Sequence, residues 1–282
     1  MELNESHSYC LEEVRRHDHD RYLTALFLPP AARTHALALY AFNLEVARTR
    51  EIVSEPLLGQ IRLQWWRETI EGIFEGTPRE HPVVAALSAT IAACAVPRKE
   101  LEALVDAREA DMEDGPPADL AALERYAEET AGALSRMVME AVSDAGAGST
   151  AARAAQDVGT AWALMGLARS VAFHARHQRL YIPEDLISEF EVERRRLFDL
   201  KPSPQLNGAV ARIAERAQVR LDRARGERAD LSKVQRRVLL PATLADRHIA
   251  RMRAAGFDPF AFEETPVPGT LRLAWAAFRG GY

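Results

Sequence analysis

The chain has 282 residues, 48% of them apolar and 27% charged, and a formal net charge of −5. That is ample for one sizeable core, and the acidic balance excludes a general nucleic-acid binder, whose surface is basic. Cys10 and Cys94 form no CxxC pair, which excludes a disulfide framework or a cysteine zinc site and fits a reducing compartment.

The opening MELNESHSYCLEEVRRHDHD lacks an apolar signal core and is rich in acids. It reads as neither a secretory nor a mitochondrial leader, so a cytoplasmic protein, peripheral to a membrane at most, is expected. HDHD (His17 to Asp20) reads as a solvated helix start, and residues 1–18 as an N-terminal extension of a single 1–282 domain.

Helical periodicity then dominates. From Ala31 to Ser54, Leu37, Tyr40, Leu44 and Ala47 mark one helix face, and Pro29 and Pro30 suit its start. Pro56 opens the next helix, running to Phe74. Its adjacent Trp65 and Trp66 cannot both face inward, so one is core and the other lies on a groove or partner surface. HPVVAALSATIAACAVP (His81 to Pro97) is too short for the ~20 residues of a membrane span and reads as a buried helix. Further helices are expected at 98–113, 118–144, 150–177, 206–227, 229–254 and 268–279, the last within a tail of residues 263–282. Turn-rich stretches such as EDGPPAD and DLKPSPQLNG separate them. No period-2 alternation occurs, so the expected fold is all-α, one domain of roughly ten helices.

No Gly-rich phosphate loop, HExxH or GxSxG is present. Arg169, Arg176 and Arg179 with His174 and His177 form a dense basic cluster, either a phosphate or acidic-lipid site or an exposed helix end. Arg48 and Arg50 read the same two ways. Asp106 and Asp111, five apart, do not share a helix face. The arginine-rich 211–240 region alternates with acids and reads as a salt-bridged exposed face or a membrane or partner surface.

Four segments in order resemble the squalene/phytoene synthase family: RYLTALFLPPAARTHALALYAFNLEVAR, LVDAREADMEDGPPADLAALERYAEETAGALSRMVMEA, GLARSVAFHARHQRLYIPEDLI and LADRHIARMRAAGFDPF. The resemblance implies an isoprenoid-synthase-like helical bundle around a central pocket. Its enzymes join two prenyl diphosphates head to head, with Mg²⁺ held by aspartates spaced i, i+4 on two facing helices.

In this chain the first pair falls at Ala47 and Glu51 and the second at Ser170 and His174. The family's Gln and Asn fall at Ala163 and Gly166. Arg169, Arg176, Arg179, Tyr181 and Pro183 keep the outline. One acid of four remains, and each lost stabiliser of developing charge costs roughly 10²–10³ in rate. No catalytic residue, cofactor or metal is therefore expected.

AFNLEVARTREIVSE, RLQWWRETIEGIF and LRLAWAAFRGGY are similar to one branch of the family, the complex I assembly factor 6 group and its bacterial relatives. That similarity implies a non-catalytic protein acting in respiratory complex I assembly. Complex I subunits or other assembly factors are its implied partners, at the inner membrane (matrix side if mitochondrial). The old pocket would hold an isoprenoid diphosphate or lipid, with Tyr40, Asn43, Ala47, Arg48, Glu51, Arg169, Ser170, His174, Arg176, Arg179 and Tyr181 as candidate lining and Tyr40 preferred over Asn43. Two alternatives stand beside it. One is a divergent head-to-head prenyl diphosphate synthase, with Mg²⁺ on Glu51, Asp106 and Asp111, or Glu45. The other is a lipid- or quinone-binding scaffold.

Overall fold

A computed structural model describes residues 3–53, 55–113, 115–143, 145–146, 148–261 and 270–282, for Thr270 the backbone only. All regular structure among these residues is helical. The first helix, α1 (Leu3–His17), buries Cys10 and Val14 and packs on α3 (Pro30–Ala47). Residues 3–18 are therefore no extension: the polar composition conceals a narrow buried stripe that completes the core. The short α2 (His19–Ala25) follows, capped by the Asp18 side chain on the Arg21 N–H.

Proline starts many of the helices, since its missing N–H costs nothing in a first turn. It opens α3, α5 (Pro56–Phe74) and α6 (Pro82–Cys94), with the single turn α4 (Thr49–Ile52) between α3 and α5. Trp66 on α5 is fully buried, edge-on to Phe42 at 5.3 Å. Trp65 lines a surface groove with Gln60, Ile61 and Arg67, as the adjacency of the two rings requires.

Several expected helices are interrupted. The expected 98–113 helix is α7 (Arg98–Ala107) followed by a 3-10 turn, Arg108–Met112. The expected 118–144 helix is α8 (Leu120–Ala127), a π-turn at Glu128–Gly132, and α9 (Ala133–Ser143).

The centre of the bundle is α10 (Thr150–Arg169), buried on nearly every side and packed against α9, α14 (Pro204–Gly226) and α16 (Pro241–Ala254). A Cβ on Gly159 would collide with the Ala131 carbonyl and the Ser135 hydroxyl, and one on Gly132 would come within 2.7 Å of Thr160 Oγ1. These two glycines let α10 and the π-turn approach. Asp157 on α10 is buried and is gripped by Arg220 and Arg223 of α14. Arg220 also reaches Glu124 and Glu128 at 2.6 Å each, tying α14 to α8 and the π-turn.

The 150–177 helix breaks at Ser170, after which α11 (Val171–Arg176) takes a new direction. The short α12 (Glu184–Glu189) and α13 (Arg194–Phe198) lie where no helix was expected. The 229–254 helix is a 3-10 turn at Arg228–Asp230, α15 (Lys233–Val238) and α16, because Pro241 cannot sit inside a helix. The last helix is α17 (Thr270–Arg279), resting on α16. No helix among the described residues is long and apolar enough to cross a membrane.

Candidate functional site: an arginine-lined central cavity

The end of α3, the start of α2 and the C-terminal part of α10 line an open cavity of about 420 Å³. Its polar side carries Asp18, Arg21, Asn43, Arg48, Glu51 and Arg108, and its floor is Leu44, Trp162, Ala163, Gly166 and Leu167. Arg21 pairs with Asp18 at 2.8 Å and lies 5.5 Å over the Tyr40 ring. Arg48 and Glu51 have no ion-pair partner among the described residues, so their charges face the cavity. A Cβ on Gly166 would meet open space. The two positions where the family resemblance puts Gln and Asn are here a methyl and a hydrogen, which widens an apolar floor.

A wall of four polar residues, Asp111 buried and Arg108, Tyr126 and Tyr181 half-buried, separates this cavity from a second one of about 490 Å³, lined by Arg50, Pro116, Pro117, His177, Arg179 and Tyr181, with Tyr126 facing both. Asp111 is the hub: its Oδ1 accepts from Tyr126 at 2.6 Å and Tyr181 at 2.9 Å. Arg108 donates to the other Asp111 oxygen at 3.4 Å, to the Tyr126 hydroxyl at 2.9 Å and to Asn43 Oδ1 at 3.4 Å. Burial opposes the charge of Arg108, but Tyr126 and Asp111 outweigh it and keep the guanidinium protonated. Burial, then the Asp111 charge, pushes the Tyr181 phenol up, and burial does the same to Tyr126. Both phenols stay neutral donors.

The expected basic cluster does not converge. In an unbroken helix residues 169 and 176 would share a face, but the break at Ser170 turns them apart. Arg169 turns inward, its Nη1 3.1 Å from His248 Nε2 and its guanidinium 5.6 Å over Trp162. His248 in turn faces Asp20 at 3.6 Å. Burial alone would raise the Asp20 carboxyl, but His248 and Arg169 hold it below its ordinary value. Arg176 and His177 are exposed. Arg179 donates to the Arg50 carbonyl at 3.0 Å, closing α11 onto α4. His174 lies against Tyr181, ring centroids 4.6 Å apart, and burial with the nearby Arg179 charge lowers it to about 4, so it is a neutral ring.

Of the candidate lining, Asn43, Ala47, Arg48 and Glu51 face the central cavity, and Arg179 and Tyr181 the second. Tyr40 sits behind the central cavity, buried against Arg21, which reverses the expected preference for Tyr40 over Asn43. Arg169, Ser170, His174 and Arg176 line neither. Arg21, Arg108, Tyr126 and Trp162 were not legible as site residues. Only the fold brings Arg108 to Asn43, 65 positions away.

The site does not fit the magnesium cluster that the resemblance implies. Glu45 is bound by Arg62 at 2.5 Å, and Asp106 is held at the surface by Arg67 at 2.7 Å. Asp111 is spent on the wall, and Asp18, the other acid beside Glu51 in the cavity, is paired with Arg21 at 2.8 Å. Among the described residues no three His, Cys, Asp or Glu side chains lie close enough to hold a metal ion.

Comparison with known proteins places this geometry. The family model for squalene/phytoene synthase matches residues 14–276. The chain belongs to the squalene/phytoene synthase family. Within it, the chain is 27% identical to a Bos taurus protein named NADH dehydrogenase (ubiquinone) complex I, assembly factor 6, over 89% of this chain and 75% of that one. It is also 29% identical to phytoene synthase of Rhodobacter capsulatus, over 76% of this chain and 62% of that enzyme. Among solved structures, a dehydrosqualene synthase superposes with a TM-score of 0.86 at 18% identity, covering 98% of this chain and 96% of that one. The fold is thus that of the family's enzymes.

Proposed function

We propose that this chain is a non-catalytic member of its family that acts in the assembly of respiratory complex I, at the inner-membrane surface and in contact with complex I subunits or other assembly factors. Its cavity holds the anionic head of an isoprenoid or lipid without a metal. The observation that carries this reading is the fate of the four family aspartate positions. They are a methyl at Ala47, a lone acid at Glu51, a helix break at Ser170 and a neutral packed ring at His174. Arg48, which lines the cavity with no ion-pair partner among the described residues, offers what magnesium would otherwise supply, positive charge toward a phosphate. The relatives named as assembly factor 6 support the biological setting.

The likeness to phytoene synthase keeps a second reading in view, a divergent prenyl diphosphate synthase. The engagement of Glu45, Asp106 and Asp111 with other side chains weighs against it.

The test is deletion of the gene, followed by measurement of assembled complex I and NADH:quinone activity in membranes. Both fall, and the wild-type gene restores them. Normal complex I in the deletion strain, or formation of squalene or phytoene from prenyl diphosphates and Mg²⁺ by the purified protein, overturns the proposal.

A further inference from the structure

Helix α17 is apolar on two sides. Leu273 and Ala277 are buried against the body of the protein, whereas Leu271, Trp275 and Phe278 are 82%, 57% and 83% exposed. The three exposed positions are spaced i, i+4 and i+7, so they form one ridge along the outer face. No other helix among the described residues carries two large apolar side chains more than 80% exposed, as Leu271 and Phe278 are, and nothing among the described residues covers the ridge.

The helix is firmly seated. The Tyr282 hydroxyl donates to the Ala224 carbonyl at 2.9 Å, Arg225 Nε donates to the Tyr282 carbonyl at 3.2 Å, and Arg228 donates to the Gly280 carbonyl at 3.1 Å. The ridge is therefore a fixed feature of the surface and not a frayed tail.

Its chemistry selects the occupant. In a chain of net charge −5, α17 carries Arg272 and Arg279 and no acid. The Arg279 guanidinium lies 4.5 Å over the Trp275 ring, a cation–aromatic pair suited to the boundary between lipid headgroups and acyl chains. Arg228 and Arg236 extend the cationic border at the helix C-terminus. With aromatic side chains of ~150–250 Å² each, the ridge exposes roughly 450 Å². A short convex ridge of Leu, Trp and Phe bordered by arginines matches an interfacial helix, which inserts its apolar side just below anionic headgroups.

We infer that α17 docks this protein on an anionic membrane surface, Leu271, Trp275 and Phe278 entering the headgroup boundary and Arg272 and Arg279 meeting lipid phosphates. The inference is independent of what the central cavity holds.

Flotation of the full chain with vesicles tests it. Wild type floats with phosphatidylcholine–phosphatidylglycerol vesicles, less so at high salt, and remains behind with phosphatidylcholine alone. The triple variant Leu271→Ser/Trp275→Ser/Phe278→Ser binds the anionic vesicles at least about tenfold more weakly, with an unchanged circular-dichroism melt because all three side chains are exposed. Arg272→Glu/Arg279→Glu weakens binding to the anionic vesicles in the same direction. Quenching by brominated lipid, present in wild type, is lost in Trp275→Phe. Three results would overturn the inference: no flotation of wild type at low salt, equal flotation of the triple variant, or a concentration-dependent dimer in sedimentation that the triple variant abolishes, which would assign the ridge to a second copy.

Discussion

Asp111 is the residue whose removal says most about how the cavities are built. It is 7% exposed and accepts hydrogen bonds from Tyr126, Tyr181 and Arg108. Asp111→Ala leaves the buried Arg108 charge without its carboxylate, which costs about 3–5 kcal/mol when a buried pair loses one member. It also strands two phenol donors, each worth about 1–3 kcal/mol if no partner replaces the acid. These losses share one hub and do not add, so about 4 kcal/mol is expected. Unfolding entropy of ~2.1 cal/mol/K per residue over 282 residues amounts to ~0.6 kcal/mol/K, and the melting temperature falls by about 7 °C. Asp111→Asn, which keeps acceptor geometry without charge, costs about half as much. Arg108→Met/Asp111→Leu, which removes both charges, recovers part of the loss. Urea unfolding of the four proteins measures the free energies, and thermal melts measure the temperature shift. An Asp111→Ala variant within about 1 kcal/mol of wild type, or a double variant no more stable than Asp111→Ala, would refute the hub.

Further consequences follow from the packing and from His174. His174 is held near pH 4 in the fold against 6.5 in an unfolded chain. Its folded value is depressed and its burial favours the neutral ring, so the unfolded chain takes up the proton first as pH falls. Stability is therefore lost between pH 6.5 and 4, by roughly 3 kcal/mol, and His174→Phe flattens that slope in denaturation curves recorded across the range. Gly159→Ala forces α10 away from the Ala131 carbonyl. Overpacking of this kind costs about 1–3 kcal/mol or more, read as a lower urea midpoint, and an unchanged midpoint would show that the helix contact is slack.

The all-α architecture was legible because proline starts and helical periodicity are local signals. Pro30, Pro56 and Pro82 open helices where the sequence expects them. Pro204 likewise opens α14, two residues ahead of the expected start. The breaks were less legible. Pro241 is a local signal that the apolar periodicity around it overrode, whereas the π-turn at Glu128–Gly132 answers to α10 and has no mark of its own. The site divides the same way. Glu51 follows from the family resemblance, whereas Arg48 reaches the cavity at the junction where α3 gives way to α4. The wall of Arg108, Asp111, Tyr126 and Tyr181 depends on contacts spanning up to 70 positions, and the stretch READM reads alone as solvated charge. The first helix was misjudged because α1 is polar on average and buries only a narrow face, Ser6, Cys10 and Val14.

On the proposed function, the cavity holds an anionic head by arginine and not by magnesium. Calorimetric titration of farnesyl diphosphate into the purified protein, in EDTA and in Mg²⁺, tests it most directly. Binding of similar strength is expected in both, weakened about tenfold or more by Arg48→Glu, since a charge-assisted bond of about 1.5–3 kcal/mol is replaced by repulsion. Binding that appears only with Mg²⁺ and is abolished by Glu51→Gln would contradict it.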